Sequence, residues 1–126
     1  MVRVPKKAFA EFKRACKYWI DIFGLKGWEI YFEFGNADND AYAECEYDYK
    51  TKTATLRLTN ECESRQELNE LQPDKRAFHE VCHLLLSGLD EMVNSKIRIS
   101  KVDLNTEVHN VIRTLENAIY AYYEEN

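Results

Sequence analysis

The four cysteines, Cys16, Cys45, Cys62 and Cys82, form no C-x-x-C pair. That spacing gives no support to a zinc ribbon or a thioredoxin-type redox motif. No stretch approaches the roughly 20 apolar residues that span a bilayer. The start, Met1-Val2-Arg3-Val4-Pro5-Lys6-Lys7, lacks the continuous apolar stretch of a signal peptide. These absences together lead to the expectation of a cytoplasmic protein with reduced thiols and no membrane contact. An excess of basic charge is also missing: the formal net charge is −5. Nucleic-acid binding, which needs clustered Lys and Arg to release counterions, is therefore not expected. Lys6, Lys7, Lys13, Arg14 and Lys17 gather near the start, as the solvated face of a helix would. Repeats, linkers and low-complexity tracts are absent too.

What is present is an ordinary globular composition, with 31% charged and 45% hydrophobic residues in 126. A chain of that length fits one domain, residues 1–126, able to bury a core without staples. Phe9, Phe12, Cys16, Trp19, Ile20 and Phe23 recur at helical spacing over residues 5–23, and Gly24 and Gly27 end that helix. Trp28, Ile30, Phe32 and Phe34 alternate as one face of a strand. Residues 41–49 alternate likewise, with Ala41, Ala43, Cys45, Tyr47 and Tyr49 on one side. A turn at residues 49–52 leads to a third strand, 53–59, with either Ala54, Leu56 and Leu58 or the threonine face inward. Short connections predict an antiparallel meander.

Ser64-Arg65-Gln66-Glu67 has the form of a capping box, and Pro73 suits the first turn of a further helix. That helix is expected to run to Ser87, with Gly88 as its stop and residues 90–99 irregular. Ser100 caps a long final helix whose apolar stripe is Val108, Val111, Ile112, Leu115, Ala118, Ile119 and Tyr122. The fold class is α+β: an N-terminal helix, a three-stranded mainly antiparallel sheet, a helix carrying the site and a C-terminal helix.

The chemistry-bearing motif is His79-Glu80-Val81-Cys82-His83. Residues four apart share a helix face, so His79 and His83 can offer two imidazoles to one ion. Zinc takes neutral His ligands and keeps an open position in catalytic sites. Glu80 is adjacent, as a general base and acid must be. By composition, H-E-x-x-H arises by chance on the order of once in a few hundred chains of this length. Ala77, Phe78, Val81, Cys82, Leu84, Leu85, Leu86 and Leu89 surround it, so the helix reads as buried nearly all round. Two histidines and a carboxylate in such a place are costly unless paired, and a metal would pair them. The plainer alternative is two hydrogen-bonded histidines beside a solvated Glu80. A third ligand must come from Glu107, His109 or Glu116. Helical phase favours Glu107, which flanks Val111, Leu115 and Ala118; His109 is the alternative, and a first-turn carboxylate serving the helix dipole is the plain reading of Glu107.

With these residues in place the chain resembles the zincin metallopeptidases of the minimal gluzincin type, and in particular small metallopeptidase-like proteins of bacteriophages and prophages. The resemblance rests on Gly27-Trp28-Glu29-Ile30, Thr53-Ala54-Thr55-Leu56-Arg57-Leu58, His79 through Leu86, Glu107-Val108-His109 and Arg113-Thr114-Leu115-Glu116. SprT-like proteases share a Cys within the motif but take a His as third ligand. The resemblance implies zinc held by His79, His83 and Glu107 or His109, with Glu80 as general base, acting on a peptide or protein substrate. It further implies that the third strand lines the cleft and pairs an extended peptide. Tyr120, Tyr122 and Tyr123 are candidates to stabilise an oxyanion. The competing readings are a non-catalytic, zinc-stabilised binding module that captures a host partner, and a DNA-associated protease; the intact Glu80 favours the enzyme, and the acidic balance counts against DNA.

Overall fold

A computed structural model describes residues 1–37, 41–95 and 99–125. After the short strand β1 (Val2–Arg3), helix α1 spans Lys6–Ile22. Ala8, Phe12 and Cys16 form its buried line, at the four-residue spacing of one helix face. Gly24 stops it: its φ of +67° is in the left-handed region that a side chain disfavours. Gly24 N–H donates to Asp21 O and Leu25 N–H to Ile20 O, which together satisfy the last carbonyls as a Schellman motif does.

Strands β2 (Glu29–Phe34), β3 (Ala43–Asp48) and β4 (Thr53–Leu58) make one sheet. The expected meander is corrected here. The order is β2-β4-β3, with β2 parallel and β3 antiparallel to β4. The third strand in sequence is thus the central one. Burial explains it: Ala54, Leu56 and Leu58 of β4 are fully inside, whereas β2 and β3 are only half-buried. The strand with the most to hide takes the position covered on both flanks. The register sets Ile30, Phe32 and Phe34, then Ala54, Leu56 and Leu58, then Ala43, Cys45 and Tyr47 on the inner face. The threonine face points outward. There the same register places Arg57 opposite Glu33 and Glu44, and its guanidinium reaches Glu33, Glu44 and Glu46 across all three strands. At the β3–β4 turn, Asp48 Oδ1 accepts from the N–H groups of Lys50 and Thr51.

β5 (Glu61–Cys62) pairs antiparallel with β1. Two-residue strands carry too little alternation to be read from sequence. Helix α2 (Arg65–Asn69) is capped as expected, Ser64 Oγ accepting from Glu67 N–H, while Glu67 Oε2 takes the N–H of Glu63. Pro73 opens helix α3 (Pro73–Leu85), which packs on α1 and β3. Gly88 is not a stop. The backbone turns at Leu86, Ser87 Oγ donates to Leu84 O, and helix α4 (Ser87–Asn94) continues through Gly88. Residues expected to be irregular are therefore helical as far as Asn94. Helix α5 (Lys101–Leu115) starts at Ser100, whose Oγ accepts from Asp103 N–H. A π-helical turn over Glu116–Tyr120 and helix α6 (Ala121–Glu125) follow. None of the described helices is long and apolar enough to cross a membrane.

The core lies between the inner sheet face and the α1–α3 pair. Phe12, Cys16, Leu56, Leu58, Leu71, Ala77, Val81 and Leu84 are its innermost residues. The final helix takes little part. Its expected stripe is largely uncovered, with Val108, Ile112, Leu115 and Ile119 all exposed. Only Glu107, Val111, Thr114 and Ala118 are partly covered on the described length of α5 and the π turn. That seam also repeats at helical spacing, a fraction of a turn away from the larger side chains.

Candidate metal centre

Helix α3 divides its residues by face. Ala77, Glu80, Val81 and Leu84 turn inward, while Phe78, His79, His83 and Leu86 turn outward. The expectation of a helix buried all round is corrected by this. It lies against α1 and β3 on one side only, so the cost of burying two imidazoles does not arise. His79 keeps 69% of its side chain exposed. The two rings stand side by side, their centroids 5.0 Å apart and their planes at 74°. Two ring nitrogens on the same open face are free to converge on one ion without refolding the helix.

Glu80 differs from its neighbours. Its side chain is only 8% exposed, although it follows the most open residue of the motif. Its Oε2 lies 4.0 Å from His79 Nε2. Burial pushes the Glu80 carboxyl above its usual range, and the positive ends of His79, His83 and Arg76 pull it part of the way back. Burial first raises the thiols of Cys16 on α1 and Cys45 on β3; Cys45 and then Glu80 add to the rise at Cys16, and Glu80 adds to that at Cys45, which reaches about 12. These thiols are held neutral. Cys82, within the motif, is half-covered and also pushed up by burial. They behave as small apolar groups, as the absence of a C-x-x-C pair suggested.

The third donor is placed less directly. Among the described residues, no group of three His, Cys, Asp or Glu side chains lies close enough together to hold an ion. Glu107 belongs to the partly covered seam of α5, and its carboxylate rests on Gly88, at the start of α4. His109 is exposed and its Nδ1 is 2.8 Å from Asn105 O, one turn back along its own helix. Glu116 is exposed at the start of the π turn. Tyr120, Tyr122 and Tyr123 are all more than half exposed. The Tyr120 and Tyr123 rings lie near each other, tilted by 31° with centroids 6.0 Å apart.

Two imidazoles on one open helix face are donors of the type zinc takes, but the Glu107 carboxylate rests on Gly88 and no third donor among the described residues is grouped with them. Sequence reasoning missed the link between β3 and α4. The Tyr47 hydroxyl donates to Asp90 Oδ2, tying the edge strand to the helix that follows the motif. Burial, then Asp90, raise the Tyr47 hydroxyl, so it stays a donor. Tyr47 was legible only as one residue of an alternating strand face, and Asp90 lay in a stretch without visible periodicity. Comparison with protein-family models, with curated proteins and with solved structures finds no match.

Proposed function

We propose that the chain is a zinc-dependent peptidase of the zincin kind, in which His79, His83 and Glu107 hold the metal and Glu80 is the general base. The observation that carries this is the pairing of two open imidazoles with one buried carboxylate on successive faces of α3. Zinc at such a site would supply a Lewis acid and lower the pKa of a water to near neutral pH. The chain's own residues do the rest. Glu80, held in a poorly hydrated setting, takes a proton from the attacking water and returns it to the leaving amine. His79 and His83 would hold the metal through their ring nitrogens. Tyr47, hydrogen-bonded to Asp90, ties β3 to α4, the helix that follows α3. β4 is shut in by its two neighbours, so an extended substrate would add instead to the edge of β3.

The test has two parts. Protein purified without added metal should carry one zinc per chain by elemental analysis, and His83→Ala should carry none. Glu80→Gln should keep zinc and fold but lose hydrolysis of unfolded proteins or peptide libraries by about 10²- to 10⁴-fold. A zinc-free chain whose unfolding temperature ignores added zinc would end the proposal. The uncovered apolar side of α5 favours a second reading, a non-catalytic zinc-stabilised module that captures a partner protein. Tight zinc with no cleavage by the wild type would select that reading.

A further inference from the structure

β2 is an edge strand, because the sheet order β2-β4-β3 gives it a strand neighbour on one side only. Glu29 N–H donates to Lys52 O and Gly35 N–H to Leu58 O. Backbone groups alternate in direction along a strand, so those of Glu29, Tyr31 and Glu33 face β4. Those of Ile30, Phe32 and Phe34 face the open edge, a row of donors and acceptors that the sheet leaves unpaired. The flank of α1 beside this edge carries Phe9, Lys13, Lys17 and Ile20 at helical spacing. Phe9 stacks on Phe34, with centroids 4.9 Å apart. Lys13 Nζ stands 5.9 Å and Lys17 Nζ 5.8 Å from the centre of the Phe32 ring. Past Lys17, Ile20, Ile30 and Phe32 line an open hollow of about 360 Å³, completed by Lys17, Asp21 and Lys26. α1 thus runs antiparallel to β2 and makes a groove along its free edge. Asp21 neutralises Lys26 at 2.8 Å. Lys13 and Lys17 have no carboxylate within ion-pair distance among the described residues. They are like charges one helical turn apart over a single half-buried ring, an arrangement that an anion between them would relieve.

We infer that the groove between α1 and the β2 edge binds an acidic, extended peptide segment of a partner protein. Its backbone continues the sheet alongside Ile30–Phe34, one carboxylate lies between Lys13 and Lys17, and an apolar side chain enters the hollow at Ile20 and Ile30. The spacing agrees with this. Side chains on one face of a strand recur about every 6.6 Å, so an acidic residue level with Phe32 places the residue two positions away level with Ile30. A nucleic acid would meet the two cations but offers no strand to continue the sheet. β3, where a substrate of the proposed peptidase would add, is the opposite edge. The two surfaces are separate, and this one does not depend on zinc.

The probe is an acetylated, amidated peptide, Thr-Glu-Thr-Leu-Thr-Glu-Thr-Leu, which presents glutamate and leucine two positions apart on one face. It is titrated into the full chain carrying Glu80→Gln to suppress cleavage, and backbone amide shifts are followed by NMR. The shifts should concentrate on Ile30, Phe32 and Phe34. Lys13→Glu combined with Lys17→Glu should leave the chain folded and weaken binding about 10-fold or more, and so should glutamine in place of the peptide's glutamates. N-methylation separates strand addition from charge attraction. Methyl groups on one alternate set of peptide amides should abolish binding, while those on the other set, turned away from β2, should be tolerated. Equal effects of the two sets would overturn the inference, as would shifts centred on β3. A single-stranded oligonucleotide that bound more tightly than the peptide, and lost affinity in the same lysine variant, would reassign the surface to nucleic acid. Absence of saturable binding at about 1 mM peptide would also overturn it, leaving Lys13 and Lys17 as charges that guard the edge against pairing.

Discussion

Single side chains on α3 show how one turn of helix can hold opposite environments. His79 is open and Glu80, the next residue, is buried, because 100° of rotation carries the chain from the solvent face to the α1–β3 face. The same inward face keeps Cys16 and Cys45 neutral, and this has a pH signature. Both folded thiols titrate above the usual value of 9.0, Cys45 at about 12. In the unfolded chain they lose protons as pH passes about 9. The folded state then binds more protons than the unfolded one, so stability falls as pH rises. Urea midpoints should therefore drop between about pH 8 and pH 10.5, and the drop should shrink in Cys45→Ala. A Cys45→Ala slope identical to wild type would show that other groups set the alkaline limit. Native Cys16 and Cys62, both essentially without exposed surface, should also resist alkylation at about pH 8 until urea unfolds the chain.

Among the elements, the sheet depends on one cation. Arg57 keeps 11% of its side chain exposed and reaches three carboxylates drawn from β2 and β3. Glu33 and Glu46 are more than half open, which screens their share, whereas Glu44 is only 19% exposed. Removing the guanidinium leaves the three carboxylates facing one another across β4. Arg57→Ala should cost roughly 1–3 kcal/mol in urea unfolding. The cost should be smaller at about 1 M salt, where like charges are screened. A loss that did not respond to salt would assign the effect to packing of the Arg57 stem. Local signals were readable for most elements: the alternation in 28–34 and 53–59, the Ser64 and Ser100 caps, and Pro73 at a helix start all appear in place. Gly88 misled, because a glycine near a helix end has two meanings. One is a left-handed stop, as at Gly24, and the other is clearance for a neighbour, and only the second applies at Gly88.

At the scale of the whole molecule, stability is unevenly spread. β4 and the inner faces of α1 and α3 carry the innermost residues, while α5 buries none fully. Hydrogen exchange should be slowest in β4 and markedly faster in α5. If Glu107 joins the metal as proposed, zinc should slow exchange in α5, and Glu107→Ala should abolish that slowing while His109→Ala preserves it. Zinc-independent exchange in α5 of a zinc-loaded protein would remove Glu107 from the ligand set.

The sequence by itself determined what depends on near neighbours. The i, i+4 placement of His79 and His83, the helical and strand periods, the caps and the α+β composition all follow from backbone geometry over a few residues. Tertiary structure alone decided the strand order, because β4 goes to the centre only when its burial is weighed against that of β2 and β3. It also decided which face of α3 meets the core, and so left the histidines open and drew Glu80 in. The seat of Glu107 on Gly88 joins residues 19 positions apart in sequence through the packing of α5 on α4. No local pattern encodes such a contact, since a side chain that is absent leaves no period to read.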